Sequence, residues 1–336
     1  MTRMPITQRS GHLETKKAYN KAKMKIVFMG TPAFAARSLQ KLIDEGYEIP
    51  LVVTQPDRKG NRNKVILSEV RQLALEHGIE TAQPVRIKKD PELIEKIASL
   101  EPDMIVVAAF GQILPQSVLD IPKLGCINVH GSLLPKLRGA SPMHAAILEG
   151  LDESGITIMR MEAGLDTGDM ISKVSCDIKG KDFTEVSGIL AEAGAELLAE
   201  TIPHIADGTA VYEKQDDSEA TYAGMMKKTD GFTDFDEAAE MVERKIRAFI
   251  EWPACYSYLD GQQIKFYKAE ALAEDPDGEP GTVSGTDKKS YTINCRSGKL
   301  RVFEQQLQGK KRMSAGDFMR GHKLAHGDRF GAEEGL

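Results

Sequence analysis

Short runs of consecutive apolar residues alternate with amphipathic stretches along the first half of the chain. Residues 24–29 (MKIVFM), 49–54 (IPLVVT), 103–110 (DMIVVAAF) and 126–130 (CINVH) are apolar on both faces, as strands buried in a parallel sheet are. Helical periodicity follows them at 67–78, 90–100 and 143–149. Gly30, Thr31 and Pro32 predict a tight turn into a helix, with Thr31 as N-cap and Pro32 at the first helical position. This alternation implies an α/β fold with a mostly parallel sheet covered on both faces. Residues 155–162 and 169–178 flank a turn around GLDTG, and a long helix is expected over 183–205. Residues 210–228 are polar and mixed, and read as a linker. The texture then changes. A helix is expected over 236–249, and after it ACYSYL, QQIKFYKAE, GTVSG, SYTINC and KLRVFEQQL are short segments separated by turn residues. That pattern predicts a small β-barrel or sandwich.

Composition sharpens the division. A chain of 336 residues, 41% of them hydrophobic, can fill two cores. We expect a catalytic domain over 24–209, the linker over 210–228 and a second domain over 229–330. Residues 1–23 carry six Lys/Arg and one Glu without an apolar stretch, which predicts a disordered extension rather than a secretory signal. No apolar run approaches the length of a membrane span. Cys126, Cys176, Cys255 and Cys295 are scattered, without the spacing of a metal or redox site, so no metal is expected. The formal charge of −6 is unusual for a protein that dwells on nucleic acid. Any such contact needs local patches. Two stand out: Arg58, Lys59, Arg62 and Lys64 in the first domain, and Lys310, Lys311 and Arg312 in the second. Clusters of this kind are more often solvated faces.

Open parallel sheets place their active sites at the carboxyl ends of the strands. Asn128 and His130 alternate at such an end and point to one side of the sheet. An amide there can donate to a developing oxyanion, and an imidazole can move a proton near neutral pH. A satisfied core pair would look the same from spacing alone. Asp166, between glycines in GLDTGD, sits on a turn. It can orient an imidazole, or simply bond its own backbone.

The pattern NVHGSLLPKLRG (128–139) with LDTGD (165–169) resembles the signature of the folate-dependent formyltransferases. FMGTP, TQPDR, VAAFGQILP and GCINVH are similar to that family too, as are AFIEWP and GKKRMS in the second domain. The resemblance covers residues 24–321. TQPDR with GKKRM is similar to the members that formylate methionyl initiator tRNA. The resemblance implies a Rossmann-like domain followed by a small OB-like barrel. It implies Asn128, His130 and Asp166 as catalytic residues and 10-formyltetrahydrofolate as formyl donor. Ser132, Leu133, Leu134 and Pro135 would form part of the folate site. Phe110, Gly111, Gln112, Ile113 and Leu114, with Gly164 and Leu165, would wall the pterin. Arg58, Lys59, Arg62 and Lys64 would touch the tRNA acceptor end, and Lys310, Lys311 and Arg312 would add contacts from the barrel. A monomer in a bacterial-type cytoplasm is implied as well. Two departures are visible. Phe110 stands where a Tyr is common, and the loop reads DRKGNRNKVIL where relatives often carry a Pro-Ala-Gly-Arg run. Sugar-amine formyltransferases share the trio, and a non-catalytic RNA- or nucleotide-binding module would share the two-domain layout. Acceptor assays separate these.

Overall fold

A computed structural model describes residues 21–59 and 65–332. The sequence-based expectation for most of 1–23 therefore lies outside the described residues. The apolar runs become strands. In chain order the first part holds β1 (Lys25–Gly30), α1 (Ala33–Asp44), β2 (Glu48–Val53), β3 (Arg58–Lys59), β4 (Val65–Ile66), α2 (Glu69–Glu76), β5 (Thr81–Ala82), α3 (Pro91–Ser99) and β6 (Met104–Ala108). There follow α4 (Gln116–Leu119), β7 (Cys126–His130), β8 (Arg138–Gly139), α5 (Pro142–Leu148), β9 (Glu153–Arg160), β10 (Met170–Asp177), α6 (Phe183–Ala206) and β11 (Tyr222–Ala223).

The main sheet runs β10-β9-β7-β6-β1-β2-β5. Its strands from β7 to β5 are parallel. β9 and β10 add antiparallel, joined by the loop that carries Asp166. Val27, Met29, Leu51, Val53, Ile105 and Val107 pack one face of this sheet and are buried. Helix starts follow their caps. Ser68 accepts from the Arg71 N–H at 3.3 Å, and Asp90 accepts from Leu93 at 3.1 Å with Pro91 next in line. The start of α1 departs from the sequence reading. Pro32 occupies the N-cap position, and the Thr31 hydroxyl instead accepts the N–H of Gln55 at 3.2 Å. The neighbouring strand end has claimed the oxygen that would have capped the helix.

The described residues divide into two compact units: those up to 142 with 153–177 and 187–223, and 143–152 with 178–186 and those from 224 onward. The second unit contains α7 (Ala239–Ala248), β12 (Cys255–Leu259), β13 (Gln262–Leu272), β14 (Val283–Thr286), β15 (Tyr291–Asn294), β16 (Lys299–Leu307), β17 (Met313–Ser314) and α8 (Ala315–Gly321). The strands form an antiparallel sheet in the order β12-β13-β16-β15-β14, with β17 on β16. Residues 327–331 close it. Gly331 and Tyr258 exchange two backbone hydrogen bonds of 3.0 Å, while Phe330 donates to Gly281 and Val283 donates to Asp328, each at 2.8 Å. The tail thus bridges β12 and the start of β14, which makes a barrel rather than a sandwich. Phe330 is fully buried in that core, stacked on Tyr291 at 5.9 Å and against Phe235 and Phe266.

All four cysteines are free and buried. Burial pushes the Cys126, Cys255 and Cys295 thiols up to about 12, which leaves them poor nucleophiles.

His144, in the second unit, stacks on Phe183 at 4.0 Å, and desolvation lowers its pKa from the ordinary 6.5 to about 4. Between these values the unfolded chain binds the proton that the folded imidazole refuses. Stability contributed this way is present above 6.5 and is lost as pH falls toward 4. His144→Phe should therefore flatten the dependence of melting temperature on pH across that window. Parallel curves for the parent and the variant would contradict the assignment.

Candidate active site

β7 delivers two of the three candidate residues. His130 ends the strand and is 5% exposed, and Asn128 is half-buried two residues earlier. Among the described residues the Asn128 side chain makes no hydrogen bond, so its amide donors remain available. His130 Nε2 lies 3.1 Å from the carbonyl oxygen of Leu137. A carbonyl can only accept, so Nε2 carries a proton and Nδ1 is the nitrogen left to receive one. Nδ1 faces Asp166 Oδ2 at 3.7 Å. That is too long for a direct hydrogen bond, but within ion-pair range.

Asp166 sits in the left-handed region, at φ 53°. A non-glycine residue persists there only when its surroundings hold it. Three contacts do so. The Gly139 N–H donates to Oδ2 at 2.8 Å, and Gln215 Nε2 donates to the carbonyls of Asp166 and Gly168, each at 2.8 Å. The Gln215 carbonyl in turn accepts from Arg138 Nε at 2.9 Å. Arg138 is 1% exposed and also bonds Asp217 at 2.7 Å, which raises its pKa against the cost of burial. Neither Arg138 nor Gln215 was singled out by sequence reasoning. Arg138 lay inside a quoted motif, but Gln215 lay in a polar stretch without any pattern.

The segment from Ser132 to Pro135 is held from within. Ser132 is fully buried, and its hydroxyl donates to the Lys136 carbonyl at 2.6 Å. Thr157 donates to the Ser132 carbonyl at 2.7 Å and accepts from the Leu134 N–H at 3.0 Å. Leu134 is buried, while Leu133 and Pro135 are half-buried. After β6, Phe110 and Leu114 are buried. Gly111 has φ +79° and is exposed, and Gln112 bonds Pro84 and Ile87. Ile113 is 84% exposed and Leu165, beside the exposed Gly164, is 53% exposed. Apolar side chains turned to solvent in this way suit an apolar ring that covers them.

The polar loop base is well tied. Gln55 bonds the Phe110 carbonyl, Gln83 bonds Asp57, and Arg71 pairs with Asp57. Arg62 and Lys64 lie outside the described residues, as do the side chains of Arg58 and Lys59. In the second unit Lys310, Lys311 and Arg312 are all exposed, and the Arg312 guanidinium lies 3.7 Å from the centre of the Tyr267 ring.

An unbonded amide and an imidazole at the end of a parallel strand, faced by a carboxylate, can donate to an oxyanion and accept a proton, which is what group transfer at a carbonyl carbon requires. Comparison with known proteins gives the family. Residues 24–202 match the formyl transferase family, and residues 225–323 match the formyl transferase C-terminal domain. The chain belongs to the formyl transferases. It is 46% identical over 313 residues to methionyl-tRNA formyltransferase of Geotalea daltonii, covering 93% of this chain and 99% of that one. Among solved structures, the N-formyltransferase from Helicobacter canadensis in complex with folinic acid and dTDP-3-aminofucose shares the fold. Its TM-score is 0.63 at 18% identity, over 83% of this chain and 98% of that one. HypX from Aquifex aeolicus in complex with tetrahydrofolic acid has a TM-score of 0.62 at 17% identity, over 90% of this chain and 48% of that one.

Proposed function

We propose that this chain transfers the formyl group of 10-formyltetrahydrofolate to the amino group of methionyl initiator tRNA. The observation that carries the chemistry is the open Asn128 amide beside an imidazole whose Nδ1 is free to take a proton. The acceptor rests on relatives near 45% identity that are named methionyl-tRNA formyltransferase. The enzyme acts as a monomer in a bacterial-type cytoplasm, as the resemblance implies.

The amine lone pair attacks the formyl carbon, a C–N bond forms, and the carbonyl oxygen becomes an oxyanion. An α-amino group has a pKa of about 7.7–8.0, so a good fraction is neutral at working pH. The burden therefore falls on the oxyanion and on the proton. Asn128 donates to the oxyanion. His130 Nδ1 takes the proton of the new ammonium, with the Asp166 carboxylate facing that nitrogen. The proton then passes to N10, the old C–N10 bond breaks, and tetrahydrofolate leaves. Ile113 and Leu165 cover the pterin, while Leu133 and Pro135 line its rim and the buried Leu134 packs beneath with Met159 and Met170. Ser132 shapes the loop from inside. Lys310, Lys311 and Arg312 meet tRNA phosphates, together with the loop bearing Arg58, Lys59, Arg62 and Lys64. Such contacts make binding steeply dependent on salt.

The test offers the enzyme 10-formyltetrahydrofolate with methionyl initiator tRNA, methionyl elongator tRNA and an amino nucleotide sugar. Formyl product on the initiator tRNA, with the other two at least about 100-fold slower, is the expected result. Equal rates on both tRNAs would remove the initiator assignment, and product on the sugar would replace the acceptor altogether.

A further inference from the structure

Residues 213–223 are bonded to the catalytic loops at every few positions. Glu213 and Met170 exchange two backbone hydrogen bonds of 2.8 Å. Thr221 accepts from Arg138 N–H through its carbonyl at 2.8 Å and from Leu137 N–H through its hydroxyl at 2.9 Å. Tyr222 and Ala223 pair with Arg138 and Gly139 as β11 on β8. Two of these partners hold His130 and Asp166. The Leu137 carbonyl orients His130, and the Gly139 N–H holds the Asp166 carboxylate.

Gln215 is the centre of this strap. Its orientation is set by chemistry. Arg138 can only donate, so it faces Oε1. The Asp166 and Gly168 carbonyls can only accept, so they face Nε2. One amide therefore uses both N–H groups to pin the carbonyls on either side of Thr167. The residue it pins has a left-handed backbone, which would otherwise relax and swing the carboxylate away from His130.

We infer that Gln215 is a positioning residue for the transfer reaction, setting through the backbone of residues 166–168 where the Asp166 carboxylate stands against His130 Nδ1. The inference rests on the catalytic reading of Asp166 given above. Gln215 touches neither substrate nor the reacting atoms. Arg138 locks the amide in place, so the strap fixes the geometry of the acid–base pair from outside the sheet.

Gln215→Glu is the informative substitution. It keeps an acceptor for Arg138 and removes both donors. In the full chain, assayed with 10-formyltetrahydrofolate and methionyl initiator tRNA, kcat should fall about 10- to 100-fold while both KM values move less than about threefold. In an Asp166→Ala background the same substitution should change kcat by less than about twofold, because the group it positions is gone. Equal fold-losses in the two backgrounds, or a parent-like kcat for Gln215→Glu alone, would overturn the inference. Gln215→Ala carries the same comparison if the glutamate variant melts well below the parent. An Asp166→Ala enzyme with parent activity would sink the catalytic reading itself, and the inference with it. That result is distinct from a failure at Gln215.

Discussion

His130→Ala is expected to lower kcat for formyl transfer by about 10²- to 10⁴-fold, the range for losing a positioned proton carrier. One hydrogen bond sets the orientation of the ring. Nε2 is committed to the Leu137 carbonyl at 3.1 Å, so the ring is held with Nδ1 toward the carboxylate. Alanine removes both the proton acceptor and the partner of that carbonyl. Binding should suffer less, because the apolar walls around Ile113, Leu114 and Leu165 do not depend on the ring. The two KM values should therefore stay within about threefold of the parent. Single-turnover rates on methionyl initiator tRNA separate the two effects. The rate that remains should follow only the titration of the acceptor amine, near about 7.7–8.0. A variant within threefold of the parent at every pH would mean that the proton moves through another group.

The strands, and the placement of Asn128 and His130 at the end of one of them, were legible because each is local. Four apolar runs buried on both faces specify a parallel sheet. A polar residue repeated at spacing two, at the end of one run, specifies a shared direction. Asp166 was legible as a turn residue, but its conformation was not. Its φ of 53° is held by Gly139 and Gln215, one 27 and the other 49 positions away in the chain. No window of sequence contains that information. The Thr31 cap failed for a related reason. Thr before Pro is a sound capping pattern, yet Gln55 from the next strand end offers a competing N–H. The alternating segments alone left barrel and sandwich open, and only the family resemblance pointed to a barrel. The segment that closes it, residues 327–331, has no alternation, and Phe330 looks like a stray aromatic until it is seen at the centre of the core. The strap around Gln215 was hidden for the opposite reason. Its residues are polar and without period, and their order comes from side chain to backbone bonds rather than from a packed face.

Asn128→Ala should cost about 10²- to 10³-fold in kcat, the usual loss for one oxyanion donor. The two losses differ in kind, and the pH profile tells them apart. An amide does not titrate, so the Asn128→Ala profile should keep the parent's shape and fall uniformly. The position also bears on how the effect should divide between kcat and KM. Asn128 is half-buried and bonds nothing among the described residues, so alanine leaves no protein group stranded and folding should be little disturbed. The ground-state formyl oxygen carries far less charge than the oxyanion, so its hydrogen bond to the amide is weaker. The loss should appear in kcat, with the folate KM nearly unchanged. Asn128→Asp makes the comparison sharper. It keeps the shape but replaces two donors with a negative charge beside the place where negative charge develops. It should be slower than Asn128→Ala. If the aspartate variant were the faster of the two, Asn128 would be serving the proton or the amine, and the oxyanion would need another donor.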